Sequence, residues 1–178
     1  MDKKPIYLVP MGEVGKDLLN FLCRRLEEIF PFPCKVGKSL PEPFYAYDRN
    51  RNQYNSRLIL NKMETEFFDE AEKVLGVANF DLYTPGLNFV FGLACLRGKY
   101  GIIALPRLRQ SFYGLPEDED LYLSRVTKEA VHELGHTFGL DHCKDKECVM
   151  YFSNSLRDTD YKGENFCKKC YRKLPFRR

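Results

Sequence analysis

All three histidines of this 178-residue chain lie in one stretch, VHELGHTFGLDHC from Val131, which contains H-E-x-x-H-x-x-G-x-x-H from His132 to His142. His132 and His136 are four apart, so a helix sets them one turn apart on one face. Two imidazoles so placed can take neighbouring corners of a zinc tetrahedron. Gly139 suits the end of that helix, because a residue tolerant of positive φ lets the chain turn back. His142 then supplies a third nitrogen from outside the helix. Three neutral histidines leave a fourth corner for water, the arrangement of a catalytic zinc and not of a structural one. Glu133 flanks the first histidine and can reach that water without binding the metal. The chemistry expected is hydrolysis of a peptide bond. Zinc lowers the pKa of the water, Glu133 takes its proton as general base and returns it to the leaving amine as general acid, with no covalent intermediate.

Four of the seven cysteines form a second constellation: Cys143-x4-Cys148, eighteen intervening residues, then Cys167-x2-Cys170. In a reducing compartment that spacing suits a metal before it suits disulfides. Cys23, Cys34 and Cys95 are scattered and read as small buried apolar residues.

These groups need a scaffold. Apolar spacing predicts a strand at Ile6–Val9, then a helix carrying Val14, Leu18, Leu22, Leu26 and Ile29, which Pro31 and Pro33 end. Cys34–Lys38 can form a second strand. Ser56–Leu75 has helical character, with Phe67, Phe68, Ala71, Val74 and Leu75 as a face. Strand-like runs follow at Gly76–Tyr83, Leu87–Leu96 and Tyr100–Leu105, separated by turn residues. The acidic run Glu117–Asp120 leads to a helix from about Ser124 to Phe138, with Val126, Ala130, Leu134 and Phe138 on the face opposite the histidines. Strands alternating with helices, then hairpin-like strands, predict an α/β (α+β) fold with a mixed sheet and helices packed against it.

The stretch HELGHTFGLDHC, followed by C-x-M at Cys148–Met150 and C-x-x-C at Cys167–Cys170, resembles the archaemetzincins, a family within the metzincin zinc peptidases. Weaker likeness runs back through Asn52–Ser56, Asn88–Gly92 and Leu105–Leu108, so it covers most of the chain. The resemblance implies a metzincin-like mixed sheet with an antiparallel edge strand above the cleft, an active-site helix, and a Met-turn with Met150 as an apolar floor beneath the histidines. By position, Leu87–Leu96 is the candidate edge strand, on which an extended peptide could pair by strand addition. The resemblance also implies a second, structural zinc on Cys143, Cys148, Cys167 and Cys170, closed by four thiolates. That makes two zinc ions per chain, one catalytic and one structural. Residues 1–178 then form a single compact catalytic domain, whose part from 143 to 178 is stapled by the structural zinc because it has little apolar sequence of its own. Phe152 stands two residues after Met150, where an activating tyrosine would sit. The first strand begins near residue 5 or 6, which suggests no pro-segment.

Composition bounds the partners. Hydrophobic residues make up 44% and charged residues 30%, enough for a core and too ordered a mixture for a disordered chain. No run approaches the roughly 18 apolar residues of a membrane helix, and Met1–Gly12 is too polar for a secretory signal. A cytoplasmic location and a peptide or protein substrate are therefore expected. The rival reading is a catalytically silent zinc protein that binds peptides or, through the four-cysteine site and the basic tail of Lys168, Lys169, Arg172, Lys173, Arg177 and Arg178, nucleic acid. The net charge of only +3 and the intact Glu133 weigh against it.

Overall fold

The computed structural model describes residues 3–66 and 68–176. Its centre is a five-stranded sheet in the order β2-β1-β5-β8-β7. Strands β1 (Ile6–Met11), β2 (Cys34–Val36), β5 (Lys73–Ala78) and β8 (Tyr100–Ala104) pair in parallel, and β7 (Gly92–Ala94) closes one edge antiparallel to β8. The central strands are near-continuous apolar runs, as a parallel sheet covered on both faces requires. Helices α1 (Lys16–Ile29) and α3 (Glu119–Thr137) pack on one face with Ile6, Leu8, Leu75, Val77 and Ile103. Helix α2 (Ser56–Met63) packs on the other with Val9, Met11, Val74, Ile102 and Ala104. A small second sheet joins β3 (Tyr47–Asp48), β4 (Gln53–Asn55) and β6 (Leu82–Tyr83). Short helices α4 (Leu156–Tyr161) and α5 (Lys168–Tyr171) complete the chain.

The mixed α/β architecture is the expected one, with corrections at several boundaries. Ser56–Leu75 is not one helix: α2 stops at Met63, and Val74 and Leu75 lie in the central strand β5. Periodicity does not distinguish a short apolar run in a helix from one in a buried strand; pairing with β1 on one side and β8 on the other decides it here. Phe67, which that helical face included, lies outside the described residues, as do Arg177 and Arg178 of the basic tail. The strand expected over Leu87–Leu96 is regular only at Gly92–Ala94. Helix α3 starts earlier than Ser124, because Asp118 caps it by accepting from the Leu121 N–H, and Glu119 and Asp120 fill its first turn.

The C-terminal segment is better packed than its composition suggested. Leu174 is buried, and Phe176 joins Phe30, Phe32 and Phe138 in an aromatic cluster. Phe176 is therefore half-buried and packs against the core. Cys23 and Cys34, expected as small buried apolar residues, are instead joined by a disulfide between α1 and β2, with Cα atoms 5.1 Å apart. Cys95 stays free.

Two arginines, Arg107 half-buried and Arg125 buried, lock the connections around the cleft. Arg107 makes a bidentate pair with Asp81, at 2.7 and 2.8 Å, and Gln53 reaches both Asp81 and the Asn88 carbonyl. Arg125, on α3, grips Asp160 of α4 in the same way, at 2.6 and 2.7 Å.

Candidate functional site

Helix α3 carries His132, Glu133 and His136 beneath the edge strand β7, and the histidine group His132, His136 and His142 converges with ligand atoms within 4.8 Å of one another. The turn that delivers His142 is built as expected. Gly139 has φ +96, its N–H donates to the His136 carbonyl at 2.9 Å, and the Leu140 N–H donates to the Gly135 carbonyl at 3.0 Å. The same turn orients the helix: the Leu140 carbonyl accepts from His136 Nδ1 at 2.7 Å. His132 Nδ1 donates likewise to the Val149 carbonyl at 2.8 Å.

These two bonds fix the tautomers. A carbonyl oxygen only accepts, so each Nδ1 holds the proton and each Nε2 keeps its lone pair. The two Nε2 atoms lie 3.1 Å apart, lone pair toward lone pair, an arrangement that a shared cation relieves. Burial holds the His132 proton affinity well below its ordinary value, and the Lys162 charge adds to this; burial also lowers His136 and His142. Neutral imidazole is the form that binds metal.

Glu133 is 5% exposed and sits against the edge strand so closely that a Cβ at Gly92 would lie 2.6 Å from its Oε1. Burial raises the Glu133 carboxyl well above its ordinary pKa; the neighbouring Glu129 charge adds to this, and Lys162 opposes it. Met150 lies on the other side of α3, fully buried, in the turn closed by the Tyr151 N–H on the Cys148 carbonyl. Its main chain is tied to the segment after His142 by the Cys143 N–H, which donates to the Met150 carbonyl at 2.9 Å. Phe152 packs on the His142 ring, with centroids 4.8 Å apart. Asp141 is exposed.

Gly135 makes room for Met150: a Cβ there would fall 2.4 Å from its Sδ and 3.1 Å from Phe166. In an ordinary helix interior Gly→Ala gains roughly 1 kcal/mol. Here the sign reverses, and Gly135→Ala is expected to cost about 1–3 kcal/mol through overpacking. Thermal unfolding checks this, since an unchanged or raised Tm would mean that Met150 does not press on the helix.

The four late cysteines form the other group, with sulfur atoms within 4.8 Å of one another. Cys143 and Cys167 are 3.9 Å apart at Sγ, far beyond the roughly 2.05 Å of a disulfide. Burial raises the Cys148 and Cys170 thiols, and for Cys170 the nearby Cys148 thiolate raises it further, so ionising the set calls for a cation. Both groups thus have donors that fit a metal ion.

Sequence reasoning missed the groups behind the histidines. Glu129, one turn before Glu133, accepts from Lys162 Nζ at 3.0 Å and from Thr159 Oγ1 at 3.0 Å, both beyond the Met150 turn. The helical spacing of E-x-x-H-E-x-x-H could have placed Glu129 on the site's flank; nothing local could have named Lys162.

The model of Peptidase family M54 matches residues 42–175. The chain is 46% identical over 169 residues to an archaemetzincin of Methanocaldococcus jannaschii, covering 95% of this chain and 92% of that one. It is similar to the crystal structure of the Archaeoglobus fulgidus archaemetzincin complexed with malonate, with TM-score 0.83 and 38% identity over 96% of this chain and 99% of that one. A zinc-dependent peptidase from Methanocorpusculum labreanum is similar with TM-score 0.86 and 31% identity, over 95% and 99% of the two chains.

Proposed function

This chain belongs to peptidase family M54, the archaemetzincins, and is a zinc metallopeptidase; from that premise we propose that His132, His136 and His142 hold its catalytic zinc and that Glu133 is its general base and acid. The observation that carries the reading is the facing pair of Nε2 lone pairs at 3.1 Å, with both Nδ1 atoms committed to carbonyls. Zinc bound there supplies Lewis-acid polarisation and lowers the pKa of a water molecule. Glu133 takes the proton of the attacking water, and its raised proton affinity suits that role. It then passes the proton to the leaving amine. Val149 and Leu140 hold two imidazoles in the binding tautomer, and Met150 is the apolar floor beneath them. The substrate is a peptide or protein, laid as an added strand on the free edge of β7.

We assign a second, structural zinc to Cys143, Cys148, Cys167 and Cys170. On this reading residues 1–178 work as one catalytic unit, with the part from 143 to 178 stapled by that zinc. Among the described residues no helix is long and apolar enough to cross a membrane.

The test is zinc per chain on purified protein, read beside peptide hydrolysis. Two zinc ions are expected in the wild type. His136→Ala should keep the fold and one zinc and lose hydrolysis. A single wild-type zinc that persists in His136→Ala would sink the catalytic assignment and leave the four cysteines as the metal site.

A further inference from the structure

We propose that Glu129 sets the substrate preference of the cleft, by selecting a cationic side chain, lysine or arginine, for the pocket beside Glu133. The proposal rests on the peptidase reading above and deepens it. The pocket lies between the approach to β7 and helix α3 and holds about 200 Å³. That is below the roughly 300–1,000 Å³ of pockets that take drug-sized ligands, and suits one amino-acid side chain. Phe89, Phe91 and Phe152 line it, and among the described residues its only acidic or basic side chains besides His132 are Glu129 and Glu133.

The ion pair behind the pocket is turned one way. Glu129 borders the cavity, whereas the side chain of its partner Lys162 is 0% exposed and does not. The pair therefore presents its acidic end. Both contacts that Glu129 makes among the described residues, from Lys162 Nζ and Thr159 Oγ1, end on Oε1. No hydrogen bond among the described residues ends on Oε2, so it stays open to an occupant of the cavity that Glu129 borders. Ser153 Oγ, from another lining residue, is buried without a hydrogen-bond partner among the described residues. A buried polar atom in that state calls for a partner. A carboxylate oxygen only accepts and a hydroxyl can accept, so the complementary group brings hydrogen-bond donors, with positive charge to match the carboxylate. Lysine and arginine meet both needs and lay apolar stems and cationic heads along phenylalanine walls. A glutamate side chain would face two carboxylates.

The experiment uses zinc-loaded Glu133→Gln, in which cutting is expected to be slowed enough for binding to be read, and calorimetry with blocked alanine hexapeptides carrying one central lysine, leucine or glutamate. The lysine peptide should bind about 10- to 100-fold tighter than the leucine peptide, the scale of one charge-assisted hydrogen bond, with glutamate weakest. Adding Glu129→Gln together with Lys162→Met, so that no buried cation is stranded, should bring the lysine-to-leucine ratio to about one. Ser153→Ala, which leaves the ion pair alone, should lower lysine-peptide affinity several-fold, and it carries the test if the double change does not fold. Equal affinities, no binding of any peptide, a preference for glutamate, or a lysine preference untouched by these changes would overturn the proposal. Wild-type protein that prefers the lysine peptide yet never cleaves it would sink the catalytic reading alone; cleavage without the preference would sink this one alone.

Discussion

Glu133→Gln is expected to lower kcat/KM for peptide hydrolysis by about 10²- to 10⁴-fold while zinc content stays at the wild-type value. The substitution keeps the shape of a side chain that fits against Gly92, so the edge strand should not move. It removes only the ability to take and return a proton. At 1.36 kcal/mol per decade, the loss corresponds to about 3–5 kcal/mol of transition-state stabilisation. Of the two carboxylates that border the pocket, Glu129 is engaged by Lys162 and Thr159, which leaves the buried Glu133 to act as the base. Single-turnover rates beside metal analysis check the prediction. Loss of zinc in Glu133→Gln would recast Glu133 as a ligand, and full activity would move the base elsewhere.

The second large effect is on stability. Cys148→Ser/Cys170→Ser is expected to unfold the C-terminal segment and take the catalytic site with it, unlike His136→Ala. Both sulfurs are buried, and an apparent structural-zinc affinity of about 10–16 kcal/mol in small zinc domains is of the same order as the roughly 5–15 kcal/mol that keeps a whole protein folded. The damage spreads because the histidine group depends on this segment. Val149 supplies the carbonyl that fixes His132, Met150 lies beneath Gly135, and the Cys143 N–H holds the Met150 carbonyl. Zinc per chain and far-ultraviolet circular dichroism against temperature report the outcome. A cysteine variant with two zinc ions and an unchanged Tm would rule out the structural assignment.

What could be read in the chain divides by the range of the forces involved. The spacing of His132, Glu133, His136, Gly139 and His142 was legible because helix pitch and a single positive-φ turn set it within a dozen residues. The four cysteines were legible as a group by spacing, although the fold alone brings their sulfurs together across α5 and the Met150 turn. The scaffold was legible in class and less so in its limits. Val74 and Leu75 looked helical beside Ala71 because a short apolar run has no period of its own, and only the place of β5 between β1 and β8 makes it a strand. Cys23 and Cys34 became partners because β2 returns beside β1 next to the helix that carries Cys23. The same holds for the pocket. Glu129 meets Lys162 and Thr159 only after the chain has left α3, rounded the Met150 turn and folded α4 back through the Arg125–Asp160 pair. Sequence by itself therefore determined which residues are the candidate metal ligands, since ligand type and helical spacing are local. Tertiary structure decided what surrounds that chemistry, because burial and charge pairing depend on which distant segments the sheet and the buried ion pairs bring into contact.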